Sequence, residues 1–428
     1  MTNRVRVIDR LLPNFGVKNI SLYYLITIFS TAWFIIANWL FFVLKFVTPT
    51  QIGIIESISF GIGLLLEIPS GAIADLLGKK ITVQTGLFMQ TIGVSLFLFS
   101  SYSVWFIAIG NVIIISSFAM VSGAFEALAY DSMVENKIEK HYDDVAAKVS
   151  SISPIVFIIT AIAGGILWGY SIYLPWIATL ICFAIALFLS FKLTEPAVDT
   201  YKFSWKQFVE QNKVGLQQLQ IPQIRKHLPI LLSLLAGYYM WSTGIIRIFM
   251  GEQFGYDGET LSYLVSFTMI VSSVAIYYFN SIKRKLGDTK GILVLTAIGL
   301  VGWILAGIFS NTLLIGMVVF LCITVTGQLS SPWRSTIINK YIDSKYRATT
   351  ISTLQFFIQI PYVIIALVFG TMIESNVVQI FYLFVGMLML MSILWSTKYK
   401  VRFRLQKVME KRQSLPQIEL PSKINPKN

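Results

Sequence analysis

Twelve apolar stretches of about twenty residues follow one another along this chain, and they constrain its fold more than any other feature. At ~1.5 Å of rise per residue, a helix of that length crosses the ~30 Å hydrocarbon core of a bilayer. The clearest are Ile81–Ser100, Ile172–Phe191, Gly291–Ser310 and Val377–Ser396, none of which holds a charged residue. The other eight lie near 21–44, 51–74, 105–130, 149–168, 229–250, 260–280, 313–338 and 350–373. All are numbered here as spans 1 to 12 in chain order. A membrane β-barrel would show alternating segments of ~10 residues instead, and the chain has none. Only 13% of residues are charged and mean hydropathy is +0.71, whereas soluble domains carry ~25% charged residues. The expectation is an all-α membrane protein with twelve transmembrane helices in a lipid bilayer. The run beginning near Ile20 exceeds a signal-peptide core and lacks a small-residue cleavage site, so it is expected to be retained as span 1.

A net charge of +13 in a soluble protein would point to nucleic acid. Here the charge is sorted by side. An even number of spans puts both termini on one face, which receives Arg4, Arg6, Arg10, Lys18, Lys79, Lys80, Lys283, Arg284, Lys285, Lys345 and Arg347. The opposite loops carry Lys45 beside Glu252, Asp257, Glu259 and Glu374. Basic loops stay in the cytoplasm, so both termini are expected there, in a multi-pass protein of the cell (plasma) membrane. The basic run Lys398, Lys400, Arg402, Arg404, Lys407, Lys411 and Arg412 suits anionic lipid headgroups, and Pro416, Pro421 and Pro426 favour disorder beyond it. No aromatic interleaving supports nucleic-acid binding.

The longest connection divides the chain into residues 1–193, a six-span half; 194–228, a linker; 229–398, a second six-span half; and 399–428, a basic tail. In the linker, Ser204-Trp-Lys-Gln207 has capping-box spacing, and Trp205, Phe208, Val209, Leu216 and Leu219 share one helical face. This predicts an amphipathic helix lying on the membrane surface, with tethering as its plainest role.

Charge inside the membrane is confined to Glu56 and Glu67 in span 2, Glu126 in span 4, Arg247 in span 7 and Arg334 in span 10. An ion at the bilayer centre costs at least ~2.5–3.5 kcal/mol, so such groups face a cavity or a partner. Spans 3, 6, 9 and 12 carry none, as lipid-facing helices require. Cys182 and Cys322 sit inside apolar spans and read as small apolar fillers, with no disulfide, metal or redox role. His141 and His227 fall in predicted loops, and no nucleotide-binding or dinucleotide fingerprint occurs. Neither an enzyme nor an ATP-driven pump is expected, and no cofactor.

Between spans 2 and 3 stands Gly71-Ala-Ile-Ala-Asp75-Leu-Leu-Gly78-Lys79-Lys80. The glycines allow close backbone approach and a sharp turn, Asp75 can face the positive end of another helix, and the lysines stay among headgroups. This signature resembles motif A of the major facilitator superfamily (MFS), and the six-plus-six spans and charge topology extend the resemblance over the whole chain. The resemblance implies two six-helix halves around a cavity lined by helices 1, 4, 7 and 10, with Asp75 near Arg347 at the start of helix 11. Lys285-Leu-Gly287-Asp288 resembles a degraded second motif A. Glu67-Ile-Pro-Ser-Gly71 and Ser122-Gly-Ala-Phe-Glu126-Ala-Leu-Ala-Tyr130-Asp131 are similar to bacterial permeases of undefined substrate. Drug–proton antiporters place an arginine where Ala119 stands, and Gly-Pro where Thr160-Ala161 stand, so the chain departs from them.

Glu126 reads equally as a proton carrier or as an ion-pair partner of Arg334, with Glu67 and Asp131 as further coupling candidates. Glu67 reads more readily as structural, and Glu56, a turn or two into its helix, as snorkelling to the interface. Arg334 and Arg247 are candidates for an anionic group, Arg247 equally for an interfacial anchor. Asn38, Trp33, Tyr239 and Trp241 are candidates for lining a cavity suited to an amphipathic ligand. The expected function is a monomeric secondary transporter working by alternating access, coupled to protons and exporting an amphipathic small molecule. Import or symport of an anionic metabolite, and a non-transporting sensor, stand as alternatives.

Overall fold

A computed structural model describes residues 13–197, 205–342 and 344–413. Arg4, Arg6, Arg10, Ser204 and the prolines of the tail lie outside them. The described residues are helical with no strand, as the apolar spans require. Among the described residues eight helices are long and apolar enough to cross a membrane, and a bent pair, Leu228–Ser242 with Ile245–Gln253, makes a ninth. The remaining three spans are helical too: Lys18–Ser30 with Trp39–Val43, Lys79–Phe97, and Leu174–Ser190. Each of the twelve stretches therefore corresponds to a helix or a broken pair of helices.

Local chemistry sets the ends. Span 2, Pro49–Leu77, starts with proline in its first turn and a reciprocal Thr48–Gln51 capping box. Span 8, Gly258–Tyr277, is capped by Asp257, and its hydrogen bonds from the Thr260 side chain and backbone hold that carboxyl below its usual range. Gly78 turns span 2 into span 3 at φ +90°, and Gly287 breaks the entry to span 9 at φ +70°. Both conformations favour a residue without Cβ. These two glycines stand 209 residues apart, which is also the spacing of Lys79 from Asp288 and of Asp131 from Lys340. Lys79 pairs with Asp131, and Lys340 donates to Asp288 at 2.8 Å. One ion pair thus recurs in each half, with its signs exchanged.

The two halves meet along span 2 against span 11 (Ser344–Glu374) and span 5 (Tyr142–Tyr170) against span 8. The tightest described contacts lie at the end remote from the linker, called here the far side. There Thr50 donates backbone and side-chain bonds to Glu374 at 3.0 and 2.7 Å, and a Cβ on Gly53 would come within 2.5 Å of the Ala366 carbonyl oxygen. Ser57 Oγ donates to the Val363 carbonyl at 2.7 Å. A Cβ on Gly165 would lie 2.8 Å from Ser262 Cβ. Exposed faces of spans 3, 6, 9 and 12 carry Phe88, Ile181, Val301, Ile380 and Met387, apolar surface of the kind lipid covers.

Three expectations are corrected. Span 1 is not continuous: its helix ends at Ser30, where Thr27 and Thr31 hydroxyls bond back to carbonyls one turn earlier, and resumes at Trp39. Span 7 bends by 77° at Gly244, whose φ is +109°. The linker helix, Trp205–Leu219, packs on span 11 rather than lying free on lipid, with Gly215 buried against Thr353 and Leu219 4% exposed. His227 lies in the turn before span 7, as expected, and is buried there. Span 12 runs on as helix through Gln413, so the first part of the basic tail extends it.

A candidate functional site between the two halves

The breaks in spans 1 and 7 meet. Unwinding between residues 31 and 38 frees backbone groups that cannot stay unbonded away from water. Phe34 N–H donates to Thr179 Oγ1 at 3.1 Å, and Arg247 Nη2 donates to the Ile36 carbonyl at 2.6 Å. Asn38 Nδ2 donates to the Gly164 carbonyl at 3.2 Å, where a Cβ on Gly164 would overlap the Phe34 carbonyl oxygen. Residues Gly244 to Gly251 of span 7 are all buried. Together these segments seal the far side across both halves.

Beneath the seal lies a cavity of about 310 Å³. Trp33, Phe60, Phe118, Trp176 and Tyr239 supply its aromatic wall, and Glu56 and Arg247 its charge. Trp33 stacks on Phe118 with ring centroids 5.7 Å apart. A second cavity of about 240 Å³ shares Phe60, Ile115, Phe118 and Tyr239 with the first and adds Glu67, Ala119 and Gln359 towards the linker side. On span 4 (Val104–Glu135) the stripe continues as Ser122, Gly123 and Glu126, all exposed, and nothing lies within 4 Å of a Cβ on Gly123.

Glu56 is the site residue that sequence reading misplaced. Its carboxyl does not snorkel to the interface: it is 2% exposed and accepts from Tyr362 Oη at 2.5 Å and Asn111 Nδ2 at 2.9 Å. Tyr362 belongs to the other half, and Asn111 also donates to Ser59 at 3.0 Å. Two adjacent turns of span 2 thus present polar groups to span 4, a pattern visible in sequence, but the partner 306 residues away was not.

The other candidates fall into distinct places. Arg247 is no interfacial anchor, being 6% exposed and part of the seal. Trp33 and Tyr239 line the cavity, whereas Trp241 is buried beside Phe320, with centroids 4.5 Å apart, and is absent from the lining. Asn38 is fully buried in the span 1 break. Arg334 donates to Gln355 Oε1 at 2.9 Å and lies 3.4 Å from Ser331 Oγ, so no Glu126–Arg334 ion pair forms. Glu67 stands 3.5 Å from Gln359 of span 11. Asp131 is held by Lys79, while Lys79 and Lys80 also donate their backbone N–H groups to Glu195 at 2.8 and 2.6 Å. Gly71 and Asp75 fall within the span 2 helix, but the surroundings of both lie outside the described residues. Arg347 donates to the Ile342 and Asn339 carbonyls at the end of span 10. Among the described residues no His, Cys, Asp and Glu cluster could hold a metal ion.

No protein-family model matches the chain. An uncharacterised MFS-type transporter of Bacillus subtilis, YxaM, is 22% identical over 332 residues, 76% of this chain and 80% of that protein. The solved nucleoside transporter NupG superposes with a TM-score of 0.65 at 16% identity, covering 91% of this chain and 99% of that one. A POT family transporter solved with a thioalcohol-conjugated peptide gives 0.70 at 12% identity, covering 92% and 99%. Two helical halves pack across the cavity, in a chain whose helices are long and apolar enough to cross a membrane. Its fold is that of the major facilitator superfamily.

Proposed function

We propose that this protein is a secondary active transporter that exports an amphipathic small molecule in exchange for protons, its two halves rocking about the cavity. The observation that carries this reading is the aromatic cavity enclosed by both halves and sealed on the far side by spans 1 and 7. Basic loops put the linker side in the cytoplasm of a bacterial plasma membrane, so the exposed Ser122–Glu126 stripe opens inward. An apolar wall with two charged groups suits a solute with a greasy body and polar ends. NupG and the POT proteins carry nucleosides and peptides by name, solutes that also combine polar and apolar parts.

Glu126 is the proposed proton carrier. It is exposed on span 4, two turns beyond Ala119 of the second cavity, and no described hydrogen bond or ion pair holds it. The import of an anionic metabolite has less behind it, because Arg334 is engaged by Gln355 and does not line the cavity. The test is solute-induced proton movement in inverted membrane vesicles over a compound panel, wild type beside Glu126→Gln. A proton signal present in wild type and lost in the variant supports exchange. Ligand binding without counterflow or proton movement would instead make the protein a sensor.

A further inference from the structure

Two buried charges of opposite sign line one cavity and do not pair with each other. Glu56 has only neutral partners, Tyr362 and Asn111. Arg247 spends one nitrogen on the Ile36 carbonyl, and its Nε, buried, has no partner. Among the described residues no ion pair reaches either group. The other titratable groups nearby are Tyr238 and Tyr239 of span 7 and Glu67 deeper in span 2, and none of them supplies the missing counter-charges. A carboxylate or guanidinium held away from water without a counter-ion is costly, so each of the two groups favours a solute that brings the opposite charge to it.

We propose that the cavity binds a dipolar solute, whose cationic group meets Glu56, whose anionic group meets Arg247, and whose apolar body lies on the aromatic wall. This rests on the reading of the cavity as the solute site. A singly charged solute completes one pole and leaves the other; a dipolar one completes both. Tyr239 and Trp33 offer ring faces to the cationic end, and the guanidinium offers paired donors to a carboxylate or phosphate. Because Glu56 belongs to the first half and Arg247 to the second, a solute holding both ties the halves together across its own length.

The experiment uses a molecular ruler. Purified full-length protein in lipid nanodiscs is titrated calorimetrically with ω-amino acids from 4-aminobutanoate to 8-aminooctanoate, and with the matching alkylamines and alkanoates. One or two members of the series are expected to bind at least about tenfold more tightly than either singly charged analogue, as completing a second charge-assisted contact implies. Glu56→Gln is expected to lower that member to the level of its alkanoate, and Arg247→Gln to the level of its alkylamine. Glu56→Asp, which keeps the charge on a shorter arm, should retain the preference and move the optimum to a longer member, an effect that a misfolded or merely structural variant cannot give. If no member outbinds its singly charged analogues, or if both neutral variants keep the preference, the proposal is overturned. Proton-linked flux of other solutes by the same purified protein reconstituted into sealed vesicles would then leave the transporter reading standing.

Discussion

Tyr239 and Trp241 stand two residues apart in span 7, yet one faces the cavity and the other packs against Phe320 and Trp303. Sequence identifies such aromatic groups as candidates but not the rotation of the helix that carries them. Glu56 shows the same limit: its place in span 2 was legible but not its burial, because Asn111, 55 residues on, and Tyr362, 306 residues on, define its surroundings. Where one backbone atom sets the constraint, the consequence is sharper. Gly164→Ala puts a methyl group into the Phe34 carbonyl, and overpacking against backbone should cost about 1–3 kcal/mol. Thermal unfolding in detergent is expected to show the loss, with Gly123→Ala, beside open space, as the unaffected control. Lys79 and Lys80 should also part company. Lys79→Met removes one side of the buried Lys79–Asp131 ion pair and should lower stability by more than about 1 kcal/mol, whereas Lys80→Met, more exposed, should stay within about 0.5 kcal/mol.

At the scale of elements, the apolar runs and the turn at Gly78 were plain in the sequence because length and composition alone decide them. The broken helices were not. Residues 31–38 and 243–244 lie inside stretches long and apolar enough to be read as single spans, and what stabilises the breaks is contact between spans: Arg247 on Ile36, Asn38 on Gly164, and Trp39 Nε1 placed where a Cβ on Gly244 would come within 2.6 Å. Gly244→Ala therefore strains the bend and pushes Trp39 away. Ala37, 1% exposed, reports on this seal. An Ala37→Cys protein should resist a membrane-impermeant maleimide from the far side, and adding Gly244→Ala should raise labelling several-fold. Equal labelling in both backgrounds would mean that the bend does not hold the seal.

For the whole molecule, the six-plus-six division was legible from the linker and from the sorting of charge, whereas the repeat itself was obscured by an exchange of signs. Lys79–Asp131 and Asp288–Lys340 occupy equivalent places 209 residues apart with cation and anion swapped, so a comparison by residue type finds little there. The geometry implies that the first pair tolerates reversal. Lys79→Asp with Asp131→Lys should recover at least half of the stability lost in Lys79→Asp alone, measured by thermal unfolding. The proposed alternating access requires the far-side contacts of spans 2 and 11 to open. Cysteines at Thr50 and Glu374, whose side chains now bond each other, should form a disulfide that abolishes flux, and reductant should restore it. Full flux through the cross-linked protein would rule out rocking at this end.

Thr194 and Glu195 carry a consequence for the order in which the chain is made. Thr194 exchanges hydrogen bonds with Asn19 at the start of span 1, 175 residues earlier, and Glu195 caps the first backbone N–H groups of span 3, 115 and 116 residues earlier. The first half therefore cannot finish closing while the ribosome is still short of this dipeptide. Until then the entry to span 3 is left with its N–H groups to water and headgroups. The two residues just past span 6 are the clasp of the first half, and in chain order they precede every residue of the second.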